Sequence, residues 1–172
     1  MKLAAKLLDP HDAMAVVIAA AEGSPIVHTA IIEDDGAMIA AQYGQGVFRL
    51  PAGEYDISDP ACWLTIDLPW ADNTDCKAWR DATIGLKYNW TGCLFSAIRG
   101  HGLSYAGEYF CSQHSTETIS RLTNGPKTLP PLACPAELVR RIRGILQPSA
   151  VCETYQTQDL GPLDAWLREN VK

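Results

Sequence analysis

Asp34-Asp35-Gly36 stands between two apolar runs, Val27 to Glu33 and Ala37 to Tyr43. The first run is rich in β-branched residues, and glycine accepts the positive φ that tight hairpin turns require. These residues commit the chain to an antiparallel strand pair, so the whole must be built on a sheet. Gly44-Gln45-Gly46 ends the return strand, and Val47 to Leu50 resumes the sheet. Cys62 to Leu68 predicts another strand, after the turn at Asp59-Pro60.

Helical signals surround these strands. Ala13 to Ala21 predicts a short helix stopped by Gly23-Ser24-Pro25. Asp72 to Ile84 carries Cys76, Trp79 and Thr83 at helical spacing, with Gly85 as its stop. Leu94 to Ile98 reads as a helical turn, and Phe110 to Leu122 as a helix ended by Asn124-Gly125. Pro135 opens a clearer helix with an apolar stripe of Leu138, Val139, Ile142, Ile145 and Leu146. Val151 to Tyr155 adds an edge strand and Leu163 to Val171 a last helix. The sum is an α+β chain, an antiparallel β-sheet with helices packed on one side.

No linker, repeat or low-complexity tract divides the 172 residues, so residues 1–172 are read as one domain. The net charge of −6 argues against a nucleic-acid partner, whose affinity rests on clustered Lys and Arg. The apolar stretch Ala13 to Ala21 is about half the length of a membrane span and follows acidic residues, not a basic n-region. No membrane span or signal peptide is expected, which points to the cytoplasm, with release by lysis or carriage in a phage particle left open. Oligomeric state has no signature. The cysteines at 62, 76, 93, 111, 134 and 152 form no CxxC pair and no tight Cys/His cluster. They are read mostly as reduced thiols rather than zinc ligands.

Cys111 is the exception that carries chemistry. It sits in Tyr109-Phe110-Cys111-Ser112-Gln113, at a predicted helix start, where the helix dipole favours a thiolate. A thiol nucleophile needs a base. His11 lies in a polar N-terminal segment, and His101 in a glycine-flanked loop. His114 follows Cys111 by three positions and could share its helix face. His28 opens an otherwise apolar strand, where an imidazole needs a reason to be.

Three stretches resemble the permuted NlpC-type papain-like hydrolases, the YiiX/YebB-like branch. They are Ser24 to Leu50 with Ser24-Pro25-Ile26-Val27-His28, Ile84-Gly85-Leu86-Lys87-Tyr88-Asn89-Trp90, and Tyr109 to Gln113. Pro135-Ala136-Glu137-Leu138 is similar to the family's downstream helix start. The resemblance covers about residues 24 to 140 and has the His strand before the Cys helix. It implies a permuted papain-like fold, a sheet or partial barrel packed against helices, with Cys111 as nucleophile and His28 as base. It also implies a third polar residue on the next strand, where this chain has Ala40. Gln42, two residues on, points to the same face of a regular strand and is the substitute. Asn89 stands where the family often has Asp, and reads as local structure.

The expected activity is a thiol peptidase or amidase acting on a peptide, including cell-wall peptidoglycan fragments, through an acyl-enzyme. That reaction calls for no metal or organic cofactor. Two alternatives remain open. A lipid or thioester acyl hydrolase or transferase would use an apolar groove around Trp90, Leu94 and Phe95, residues that suit a core equally. A catalytically degenerate scaffold would have Ala40 as its sign of decay.

Overall fold

The computed structural model describes residues 1–99 and 102–147. Within them lie five helices and a five-stranded antiparallel sheet, an α+β fold. The strands are β1 (Lys2–Leu7), β2 (Ile26–Ile32), β3 (Met38–Gln42), β4 (Gly46–Leu50) and β5 (Trp63–Asp67), in the spatial order β4-β3-β2-β1-β5. The helices are α1 (Ala13–Glu22), α2 (Thr74–Thr83), α3 (Trp90–Arg99), α4 (Cys111–Arg121) and α5 (Pro135–Leu146). A short parallel pair, β6 (Lys87–Tyr88) and β7 (Glu108–Tyr109), precedes the starts of α3 and α4. The edge strand and helix expected beyond Val151 lie outside the described residues. None of the helices described is long and apolar enough to cross a membrane.

The hairpin forms as its sequence requires. Gly36 has φ +82°, the Asp35 carboxylate accepts the Ala37 N–H at 2.9 Å, and Glu33 N–H donates to the Ala37 carbonyl at 2.8 Å.

The central strand β1 is where the structure departs from the sequence reading, which assigned Lys2 to Leu7 no element. Its two lysines are four apart and its alanines favour helix. As a strand it places Leu3 and Ala5 on one face, both fully buried, and Lys2, Ala4 and Lys6 on the other. Pairing with β2 on one side and β5 on the other satisfies its backbone and overrides local propensity.

The two sheet faces are filled differently. Leu3, Ile31, Ile39 and Val47 pack beneath Ile119 of α4 and Leu138, Val139 and Ile142 of α5. The opposite face carries a rung of small residues, Ala4, Ala30 and Ala40, closed by Tyr55 and Ile57 from the β4–β5 connection. Gly46 lets that connection's neighbour close in: a Cβ there would lie 2.2 Å from the Leu86 carbonyl oxygen. Reciprocal bonds, Val47 N–H to Leu86 O and Gly85 N–H to Val47 O, both 2.8 Å, tie the turn after α2 to β4 and so set where Tyr88 falls.

Arg80 of α2 is completely buried and joins three parts of the fold. It donates to Asp72 at 3.0 and 2.6 Å and to Glu33, at the end of β2, at 3.0 Å. Arg49 of β4 reaches the same Glu33 at 2.6 Å. Breaking a buried ion pair leaves an uncompensated charge. Arg80→Leu is expected to cost ~3 kcal/mol in urea denaturation, the low end for such losses because Arg49 still holds Glu33. A change under ~1 kcal/mol would show that the network contributes little.

Candidate functional site

The candidate site forms where the sheet opens. β2 and β3 pair only at Ile31–Ile39 and Ile32–Met38, so the ladder is absent toward His28. The amino end of α4 meets β2 there. Phe110, fully buried, is its N-cap and supplies no side-chain cap bond, which leaves first-turn N–H groups of α4 without a capping side chain. Two ties hold this end: the Ser112 hydroxyl donates to the Ala133 carbonyl at 2.7 Å, and the Tyr109 carbonyl accepts the Asn89 N–H at 2.9 Å.

Cys111 is the first residue of α4, as its sequence context predicts, and is 1 % exposed. The backbone N–H groups of Thr29, the neighbour of His28, and of Ser112 act on its sulfur. Both favour the thiolate. Burial opposes them and wins, with the nearby Cys93 adding to it, so the thiol is held well above its ordinary range. The helix-start effect is present but subordinate to desolvation.

His28 is partly buried on the other side of this junction. It stands directly across from Lys6 of β1, and Lys6 stands across from Trp63 of β5. Continuing the β2–β3 register would bring Gln42 opposite His28 on its other side. The rung of His28, Lys6 and Trp63, with Gln42 beside it, lines a cleft of about 260 Å³. Met14 and Ile18 of α1 form one wall, and Tyr88 another. Tyr43, at the rim, packs edge-on to Tyr88 at 6.2 Å and against Trp90 at 5.6 Å. Burial pushes the His28 imidazole down to about 4, with the Lys6 charge adding to it and the Asp12 charge opposing it. The imidazole is therefore neutral at pH 7.

His28 and Gln42 thus line one cleft, while Cys111 lies outside its lining. Tyr88 bridges the two regions, since it also lies within hydrogen-bonding reach of Cys111 and Cys93. Among the described residues no hydrogen bond joins His28 to Cys111 or to Gln42, which is exposed. Ala40 is 1 % exposed within the alanine rung. Three groups near His28 escaped the sequence reading. Lys6 lies in a stretch given no element, Tyr88 in a motif without an assigned role, and Asp12 in the polar segment around His11. Asp12 caps α1, accepting the Met14 and Ala15 N–H groups at 3.0 and 3.1 Å, and its charge also reaches His28.

The other histidines separate clearly. His11 is exposed, and His101 lies outside the described residues. His114 turns from Cys111 to stack on Trp79 at 5.2 Å, with Nε2 2.9 Å from the Thr83 hydroxyl. That hydroxyl donates to the Arg80 carbonyl at 2.6 Å, so Nε2 must carry the proton. Asn89 caps α3: its side-chain oxygen accepts the Gly92 N–H at 2.7 Å, and its amide donates to the Leu103 carbonyl at 2.6 Å. A carboxylate could not make the second bond.

The five described cysteines are unpaired thiols. No group of three or more His, Cys, Asp or Glu among the described residues is placed to hold a metal ion. No family model, curated protein or solved structure matches the chain.

Glu22, at the end of α1, gives the region a measurable pH dependence. It accepts the Ala136 N–H in the first turn of α5 at 3.2 Å, and its second oxygen is buried without a partner. Burial pushes its carboxyl up to about 7, from an ordinary 4.5. The folded state therefore binds a proton that the unfolded state has released. This contribution is fully present below pH 4.5 and is lost as pH rises through 7. Glu22→Gln keeps an acceptor for Ala136 and has no charge to bury. Urea titrations at pH 5 and pH 8 should find the variant gaining stability relative to the natural chain at the higher pH, on the order of 2 kcal/mol. Parallel pH dependence in the two proteins would refute this.

Proposed function

We propose that the chain is a cysteine hydrolase of the permuted papain-like layout, cleaving an amide through an acyl-enzyme on Cys111 with His28 as base. The observation that carries this reading is the Cys111 sulfur at an uncapped helix start, with the backbone N–H groups of Thr29 and Ser112 favouring its thiolate. A helix start of this kind also stabilises developing negative charge on a carbonyl oxygen.

At rest the pair is a thiol and a neutral imidazole. In the proposed reaction His28 takes the Cys111 proton as sulfur forms a bond to the carbonyl carbon. The C–N bond then breaks, and the proton passes from His28 to the leaving nitrogen. Water, deprotonated by His28, attacks the thioester; the C–S bond breaks, and the proton returns to sulfur. The imidazolium formed midway needs a nearby negative charge. Asp12 supplies it, while Gln42, exposed and without a bond to the ring, supplies none.

The reading makes Cys111 selectively reactive. Site-resolved mass spectrometry after iodoacetamide treatment at neutral pH should find Cys111 labelled faster than Cys62, which is exposed but held up by the Asp59 carboxylate. The preference should vanish in His28→Ala. Labelling that follows exposure alone would favour the degenerate scaffold.

Asp12 has its own test, because asparagine caps a helix as well as aspartate does. Asp12 raises the proton affinity of His28, so Asp12→Asn lowers it further. The acid limb of the kcat/KM profile on a peptide amide should move to lower pH, and kcat should fall by about tenfold, less than the loss of the general base itself would cost. An unchanged profile would remove Asp12 from the mechanism.

A further inference from the structure

The cleft beyond His28 has a chemistry that narrows the substrate. Its floor is one rung of the sheet, and directly opposed residues on neighbouring strands project from the same face. His28, Lys6 and Trp63 therefore stand side by side. Around them the walls are mostly apolar, with Met14, Ile18 and Met38 prominent. The volume of about 260 Å³ is below the range for a drug-sized ligand and suits a single amino-acid residue.

Two charged side chains line this cleft, and they are not equivalent. Asp12 is already committed to two backbone N–H groups of α1. Lys6 has no ion pair among the described residues, is partly buried, and its charge is felt by both His28 and Cys62. A lysine ammonium beside apolar walls is a receptor for a carboxylate attached to an apolar group.

Catalytic geometry gives that carboxylate its place in the substrate. This step rests on the proposed hydrolase reading. The base that accepts the thiol proton delivers it to the leaving nitrogen, so the leaving group lies on the His28 side of the scissile bond. We infer that the cleft binds the leaving group as a single C-terminal residue with an apolar side chain, its free carboxylate on Lys6. The enzyme would then release one amino acid from the carboxyl end of a peptide or N-acyl amino acid. The acyl carbon passes to the Cys111 sulfur, the amine leaves with the proton from His28, and water completes the hydrolysis.

Binding and turnover test the two layers separately. In Cys111→Ala protein, calorimetry with N-acetyl-leucine and with N-acetyl-leucinamide should find the carboxylate bound at least about tenfold more tightly, the worth of one charge-assisted hydrogen bond. Lys6→Met keeps the apolar stem and should abolish the difference. Lys6→Arg should retain it, which excludes a folding defect as the cause. Equal binding of acid and amide, no binding of either, or indifference to Lys6→Met would overturn the cleft assignment. Turnover of N-benzoyl-glycyl-phenylalanine, and its loss in Cys111→Ala, tests the hydrolase reading independently. Turnover without preference for the acid over its amide would keep the hydrolase and discard the carboxylate subsite. Lys6-dependent binding without turnover would do the reverse.

Discussion

The amino end of α4 is set against β2 at the point where β2 has parted from β3, and the candidate site depends on that junction. A β-strand that loses its partner exposes N–H groups that must be satisfied. A helix that starts without a capping side chain has N–H groups to offer an anion. At this junction the Cys111 sulfur is favoured as thiolate from both sides, by the N–H of Thr29 of the strand and of Ser112 of the helix. The surrounding ties hold the junction in place. Ser112 is bonded to Ala133, and β7 is paired with β6. β6 follows a turn that Gly46 allows to lie against β4. The strand that floors the cleft, β1, is held from both sides.

Burial dominates the electrostatics of the region. It raises the Cys111 and Glu22 groups and lowers His28, so each is driven toward its neutral form. Such a site is stable because it carries little charge, and for the same reason it is a poor ion pair at rest. In the proposed reaction, proton transfer from sulfur to imidazole would create two opposite charges rather than one isolated charge. The sulfur already has its N–H donors, and the imidazolium has Asp12. Under the proposed reaction those arrangements would matter more in the transition state than in the ground state, the condition catalysis sets.

Much of the sheet and helix layout was legible because it is written in local chemistry: the Asp-Asp-Gly hairpin, the apolar stripe after Pro135, the helix start at Cys111. β1 was not, because its spacing of lysines and alanines reads as helix and only pairing on both edges makes it a strand. The same blind spot hid the cleft. His28 was visible as an odd residue in an apolar run, but Lys6 and Trp63 become its neighbours only through strand register, across 22 and 35 positions of sequence. Asp12 stood only as part of the polar segment around His11, since its reach to His28 depends on how α1 sits against β2. For Cys111 the helix start could be read, and a buried thiol was the plain alternative, but that desolvation outweighs the helix start is a property of the packed site.

Ala40 looks different once its surroundings are known. It belongs to the rung Ala4, Ala30, Ala40, and all three are buried beneath Tyr55 and Ile57. The small side chains allow the β4–β5 connection to lie close on that face, and the Tyr55 hydroxyl fastens it to the Gly36 carbonyl. A carboxylate or imidazole at position 40 would enter an apolar layer with no partner for its polar atoms, at a cost of several kcal/mol. The alanine is thus the residue this packing demands. It is not by itself a mark of lost chemistry, because the charge that a third catalytic group would provide can reach His28 from elsewhere. Asp12 approaches from the α1 side, where its carboxylate is already oriented by two helix N–H groups. A sheet closed on that face by small residues and a charge brought in by a helix cap are two parts of one solution.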